Sequence, residues 1–170
     1  MTDTDRLLAN NAAHVATSAE RRRQGDNGSG APPASPKVAV LACMDARLDP
    51  AQALGLGAGD AHVIRNAGGA ATEDAIRSLI VSQRLLGTEE IILIHHSDCG
   101  MLTFTDDAVK HDLEVATGIR PPFALEAFAD LDADVRQSMA RLKASPWLPH
   151  KEHIRGFVYE LDTGRLREVL

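Results

Sequence analysis

An α/β fold is what this sequence predicts: a mostly parallel central sheet of about four strands with an antiparallel edge strand, covered by helices and preceded by an N-terminal helical arm. Three observations carry that expectation. Short apolar runs such as Val38-Ala39-Val40-Leu41-Ala42 and Ile91-Ile92-Leu93-Ile94 lack the polar alternation of a half-exposed strand, so they read as strands buried on both faces. The stretch between them has helical period, and such alternation makes parallel strands joined by helical crossovers. The chain closes with two strand-like segments around Asp162-Thr163-Gly164-Arg165, a hairpin that supplies the antiparallel edge.

Taken in order, residues 3–23 carry Leu7, Leu8, Ala12, Val15, Ala16 and Ala19 at roughly helical spacing, with Thr2 or Asp3 available as N-cap. Residues 25–36 hold six Gly or Pro and no period, so they read as a linker. The domain organisation expected is therefore an arm over 1–24, a linker over 25–36 and an α/β domain over 37–170. A helix tethered before the first core strand is suited to packing on a partner subunit. Asp49-Pro50 reads as an N-cap with proline at the first helical position, opening a short helix that stops at Gly55 or Gly57. Ala61-His62-Val63-Ile64-Arg65 is a compact strand ended by Asn66-Ala67-Gly68-Gly69. From Thr72, Glu73 and Asp74 place acid in a first turn, Ala75, Ile76, Leu79, Ile80, Gln83 and Leu86 follow with helical period, and Gly87 closes the helix. After the strand at 90–95, a helix is expected from Asp106 toward Gly118. A longer one is marked by Leu131, Val135, Met139 and Leu142, before Pro146.

Composition bounds the function. A chain of 170 residues that is 44% hydrophobic can bury one core. The net charge of −6, with no Lys/Arg stripe interleaved with aromatics, excludes a nucleic-acid partner. Arg21-Arg22-Arg23 reads as the solvated end of a helix. No apolar run approaches the roughly 20 residues that span a bilayer, and residues 1–36 hold no apolar leader core, so the expected compartment is the cytoplasm. Two cysteines there suit metal binding or catalysis better than a disulfide.

Chemistry concentrates at two strand ends, where ligands bind in open α/β sheets. Cys43-Met44-Asp45-Ala46-Arg47 offers a thiol, a carboxylate and a guanidinium at alternate positions, which a continuing strand would project to one face. His95-His96-Ser97-Asp98-Cys99-Gly100 supplies an imidazole and a thiol three residues apart. Thiolate and imidazole suit Zn2+, and three protein ligands, here Cys43, His96 and Cys99, would leave its fourth position for water or substrate. Asp45 can either ligate the metal, closing the site, or orient a metal-bound hydroxide. Arg47 decides, because a bidentate grip on the carboxylate competes with the metal.

Blander readings stand beside these. A buried Cys at a strand end is usually a small hydrophobe, and an Asp-x-Arg pair is usually a structural ion pair. His95 alternates to the opposite face and reads as a core or interface residue. Asp98 reads as a capping residue or a support for the ligands. His14, His62, His111, His150 and His153 read as surface or interface residues.

The combination of Cys43-x-Asp45-x-Arg47, Arg65-Asn66-Ala67-Gly68 and His96-x-x-Cys99-Gly100, in that order and at these intervals, resembles the β-class carbonic anhydrases. The run Asp98-Cys99-Gly100-Met101-Leu102-Thr103-Phe104 is similar to a small-subunit branch close to the carbonyl sulfide hydrolases. The resemblance implies zinc bound by Cys43, His96 and Cys99, an Asp45/Arg47 dyad, and a homodimer around an extended sheet. It also implies an N-terminal helix reaching over the partner, and dimers of dimers are common in the family. The sequence departs from plant-like members at His62, where they carry Phe, and at Gly69, where they carry Asn. The pocket Gln of those members has no counterpart near Leu54 to Ala58.

The expected activity is reversible hydration of carbon dioxide to bicarbonate by zinc-bound hydroxide. Hydrolysis of carbonyl sulfide or carbon disulfide by the same hydroxide is the alternative within that chemistry. A non-catalytic, zinc-stabilised interaction protein, with Asp45 permanently on the metal, is the alternative from another class. Thiol redox signalling is disfavoured because there is no Cys-x-x-Cys.

Overall fold

The computed structural model describes residues 2–23 and 37–170, with side chains described outside 16–23. The predicted linker over 25–36 and the Arg21-Arg22-Arg23 side chains lie outside the described residues. The chain divides into two compact units, Met1–Ala34 and Ser35–Leu170. The first contains helix α1 (Asp3–Arg23). Its start is a reciprocal cap: Asp5 N donates to Thr2 Oγ1 at 3.2 Å and Thr2 N donates to Asp5 Oδ2 at 2.7 Å. Thr2 is thus the N-cap.

The second unit is a five-stranded sheet with helices. Its elements are β1 (Val38–Cys43), α2 (Pro50–Leu54), β2 (Ala61–Asn66), α3 (Glu73–Arg84), β3 (Glu90–His96), α4 (Asp106–Thr117), α5 (Leu131–Ala144), β4 (Ile154–Glu160) and β5 (Arg165–Val169). The sheet order is β2-β1-β3-β4-β5, with every pairing parallel except β4 with β5. The predicted architecture is the one observed.

Local chemistry explains the boundaries. Asp49 accepts from the backbone N–H of Ala51 and Gln52, Pro50 opens α2, and Gly55 ends it in the left-handed region. Thr72, Thr105 and Asp130 cap α3, α4 and α5 by accepting from the N–H three residues on. One expectation needs correction: α3 ends at Arg84, and Gly87, with φ 81°, lies beyond it. Leu86 is 48% exposed and so takes no part in the buried stripe. The pairing of Thr88 with Ser82, through side chains and through Thr88 N to Ser82 O at 3.1 Å, turns the chain toward β3 one turn early.

The sheet is buried on both faces. Ala39, Leu41, Ile91 and Leu93 join Leu79 of α3 and Val135, Met139 and Leu142 of α5 in one core. Val40, Ala42 and Ile94 join Leu48, Met101 and Phe128 in the other. This two-sided burial is why β1 and β3 are apolar without alternation.

Two glycines set the close approaches. A Cβ on Gly156 would overlap Val135 Cγ1 and stand 3.0 Å from Met139 Sδ, so the bare backbone of β4 lets α5 seat on the sheet. Gly69, at φ +74°, would place a Cβ 2.9 Å from Cys43 N and 3.0 Å from Ile94 O, both backbone atoms with no room to yield. The long connection before α5 is held by Asp106, whose carboxylate accepts from Leu125 N at 2.7 Å and Ala127 N at 2.9 Å. Burial pushes that carboxyl up, but the hydrogen bonds from Ala127 and Leu125 win and hold it below its ordinary value.

Gly69→Ala and Gly156→Ala should each lower stability by about 1–3 kcal/mol, read as the denaturant midpoint, with Gly69→Ala also disturbing the Cys43 loop. Asp106→Asn should cost about 1–2 kcal/mol at neutral pH. Because folding depresses this group's pKa, its stabilisation is present above the ordinary aspartate value of 3.8 and is lost as the pH falls below it. Wild type and variant should therefore converge in acid melting curves.

Candidate metal centre

Parallel strands that start together end together. β1 and β3 are neighbours, with Ala42 opposite Ile94, and β2 flanks β1 with Asn66 opposite Cys43. The loops after all three strands therefore leave the sheet at one edge. Cys43 arrives on the first and His96 on the third. Cys99 is returned toward them by a tight turn. Ser97 is pinned to β4 through its N–H on Tyr159 O at 3.0 Å and its Oγ accepting from Leu161 N at 2.9 Å. Asp98 then takes a left-handed φ of 54°, and a 3-10 turn over Gly100–Leu102 follows.

The turn brings together the three residues expected as ligands. The ligand atoms of Cys43, His96 and Cys99 lie within 4.8 Å of one another, and all three residues are buried. His96 Nε2 stands 3.3 Å from Cys43 Sγ. Tetrahedral zinc with sulfur and nitrogen at 2.0–2.3 Å would space its ligands about 3.5–3.8 Å apart, so the His96–Cys43 spacing is already within a few tenths of an ångström of what the ion needs. The tautomer fits as well. His96 Nδ1 is 2.8 Å from Ser97 O, and a carbonyl can only accept, so Nδ1 carries the proton and Nε2 turns its lone pair to the sulfurs.

The thiols polarise one another. Hydrogen bonding to Cys99 drives the Cys43 thiol well below its ordinary value, while the neighbouring Cys43 pushes Cys99 up. One sulfur is thus poised as a thiolate before any cation arrives, and a divalent cation is what would stabilise two.

Asp45 and Arg47 meet by a route other than strand alternation. β1 stops at Cys43, and residues 45–48 turn, with Leu48 N donating to Asp45 O at 3.1 Å. The turn folds Arg47 back on its neighbour. Nε donates to Asp45 Oδ1 at 3.0 Å and an Nη to Oδ2 at 2.8 Å, a bidentate grip joined by Arg47 N on Oδ1 at 2.9 Å. These bonds hold the Asp45 carboxyl far below the usual carboxylate range. Oδ1 accepts two donors and Oδ2 only one, and Oδ2 lies 3.6 Å from His96 Nε2. The less occupied oxygen therefore faces the ligand cluster. Asp98, expected to cap or support, holds Arg47 from the other side, accepting at Oδ2 at 2.8 Å and at its carbonyl at 3.1 Å.

The other histidines fall away from the site. His95 is fully buried on the opposite face, its Nε2 2.8 Å from Asp134 Oδ2, which makes it a core residue. His62, expected at the surface or an interface, is half-buried, with Nδ1 2.8 Å from Ser82 Oγ. His14, His111, His150 and His153 are exposed. A cavity of about 270 Å³ opens beside the ligands and is lined by Met44, Ala67, Gly68, Met101 and Phe104 along with the site residues. Met101 and Phe104 belong to the run after Cys99, but the reading of the residues assigned them no pocket role. Arg65 enters the sequence pattern only through Arg65-Asn66-Ala67-Gly68, yet its guanidinium reaches into the Cys43 loop. A lone basic residue on a strand carries no local signal of such reach.

Comparison with known proteins agrees with this geometry. A family model described as carbonic anhydrase matches residues 38–166. β-carbonic anhydrase 1 of Mycobacterium tuberculosis is 50% identical over 169 residues, 99% of each chain. A carbon disulfide hydrolase of Saccharolobus solfataricus is 37% identical over 153 residues, 76% of this chain and 75% of that one. Among solved structures, a carbonic anhydrase from Streptococcus mutans superposes with a TM-score of 0.85 at 41% identity, covering 100% of this chain and 99% of that one. Fold, matched span and identity agree, and the chain belongs to the β-carbonic anhydrase family.

Proposed function

We propose that this protein catalyses the reversible hydration of carbon dioxide to bicarbonate, with zinc held by Cys43, His96 and Cys99 and with Asp45 and Arg47 as the catalytic dyad. The observation that carries the reading is the convergence of two sulfurs and an imidazole nitrogen within 4.8 Å, beside a carboxylate whose less occupied oxygen faces them. A zinc ion in that cluster would lower the pKa of a bound water from about 15.7 toward about 7, supplying the nucleophile at neutral pH.

The chain's own residues supply the rest. Asp45 stays ionised because Arg47 grips it, so Oδ2 is always an acceptor and can orient the attacking water by taking its hydrogen bond. Arg47, held in turn by Asp98, keeps that carboxylate from swinging onto the metal, which favours the open site over the closed one. Ala67, Gly68, Met101 and Phe104 offer apolar surface to a substrate that has no net dipole and needs no hydrogen-bond donor. Two thiolates donate charge and oppose acidification of the water, so activity should rise on the alkaline side of neutrality.

Hydrolysis of carbonyl sulfide or carbon disulfide is the second reading, supported by the carbon disulfide hydrolases at 34–37% identity among the relatives. In the wider reading, residues 1–24 form an arm, 25–36 a linker and 37–170 the catalytic domain. The assembly is a homodimer or dimer of dimers, and the setting is the cytoplasm, where thiol ligands stay reduced. No helix among the described residues is long and apolar enough to cross a membrane.

Cys43→Ser or Cys99→Ser should lose stoichiometric zinc, read by metal analysis, and hydration with it. Asp45→Ala should stay folded and zinc-loaded but lose about 10²-fold or more in kcat/KM; equal inactivity in wild type and variant would instead support the zinc-stabilised interaction protein. Steady-state assays of one preparation with carbon dioxide, carbonyl sulfide and carbon disulfide should show hydration dominant. Rapid sulfide release with negligible hydration would establish the hydrolase.

A further inference from the structure

Arg65 lies near the C-terminal end of β2, opposite Ala42 of β1. Among the described residues it pairs with no carboxylate. All its hydrogen bonds run to backbone carbonyls of one loop. Nε donates to Cys43 O at 3.0 Å, and an Nη donates to Cys43 O at 2.9 Å, Asp45 O at 2.7 Å and Leu48 O at 2.7 Å, sharing its two N–H bonds among three acceptors. These carbonyls lie where the β1–β2 ladder gives out, its last bond being Met44 N to Asn66 O at 2.8 Å. Beyond that point the turn closes on itself through Leu48 N on Asp45 O and through Arg47 on the Asp45 carboxylate, and Arg47 ties it to Asp98.

The three carbonyls bracket the chemistry. The first belongs to Cys43, the second to Asp45, and the third closes the turn that carries Arg47 back onto Asp45. A single planar cation gathering all three fixes the Cys43 sulfur relative to the Asp45 carboxylate without touching either side chain. Charge-assisted bonds to a guanidinium are about twice as strong as neutral ones, so the clamp outweighs the turn's own hydrogen bond.

Resting on the zinc hydratase reading above, we infer that Arg65 is a positioning residue: its guanidinium clamps the 43–48 loop so that Cys43 and the Asp45/Arg47 dyad meet the metal in register. Supports of this kind around metal ligands are typically worth about 10- to 100-fold in metal affinity or activity. Lysine offers a point charge where three carbonyls need a planar fork, so it should serve only in part.

The test compares wild type, Arg65→Ala and Arg65→Lys. Arg65→Ala should release zinc to a chelator about 10- to 100-fold faster. Its kcat should fall by a similar factor with KM little changed. Amides 44–48 should exchange faster while those of β3 keep their protection, with Arg65→Lys intermediate in each readout. Because Arg65 is exposed, millimolar guanidinium ion should restore part of the lost kcat in Arg65→Ala and none in wild type. Wild-type zinc release, loop exchange and kcat in Arg65→Ala would overturn the inference. So would a loss that tracks global destabilisation, with β3 exchange rising as much as the loop's and no guanidinium rescue. If wild type itself neither holds zinc nor hydrates carbon dioxide, the functional reading fails, whereas loop exchange still tests the clamp.

Discussion

The parallel pairing of β1 with β3 is the constraint on which everything else rests. It sets two strands side by side, running the same way, so that the residues just past Ala42 and Ile94 leave the sheet together. Cys43 and His96 are neighbours for that reason alone, though 53 residues separate them in the chain. An antiparallel or reordered sheet would send the same two motifs to opposite ends. The long loop closure this demands is stabilised by the apolar burial of both strands on both faces, which the crossover helix α3 and the later α5 complete.

Around that edge, backbone and charge are arranged at close quarters. Gly69 is admitted because its missing Cβ leaves Cys43 N and Ile94 O their places. The departure from the plant-like Asn thus falls where a side chain would press directly on the backbone of a ligand. Asp45 carries a full negative charge beside two sulfurs, a costly arrangement unless a cation compensates it. Arg47 does so on the outer side, and a bound metal would do so on the inner. Asp98 extends the outer arrangement, although it is 82% exposed and its ion pair alone stabilises little; its use is directional.

The helices and strands were legible because local periodicity reports them. Asp49-Pro50, Thr72 and Gly118 announced their helix ends, and the apolar runs at 38 and 91 announced buried strands. Where the reading slipped, a long-range or near-neighbour contact had overruled a local signal. Gly87 looked like a helix stop, but the Ser82–Thr88 pairing ended α3 sooner. His62, read as a surface or interface residue, is half-buried because Ser82 lies across from it on α3.

By itself the sequence determined the donor chemistry: which thiols, which imidazole and which carboxylate stand at strand ends, since residue type and spacing suffice to say what a site can bind. Tertiary structure alone decided the rest. That Asp98 and Arg65 join the turn holding Asp45 and Arg47, and that His95 finds Asp134 on the far face, depend on distances between segments remote in the chain. Those distances follow from sheet order and register, which arise from the packing of the whole core and leave no mark on any short stretch of residues.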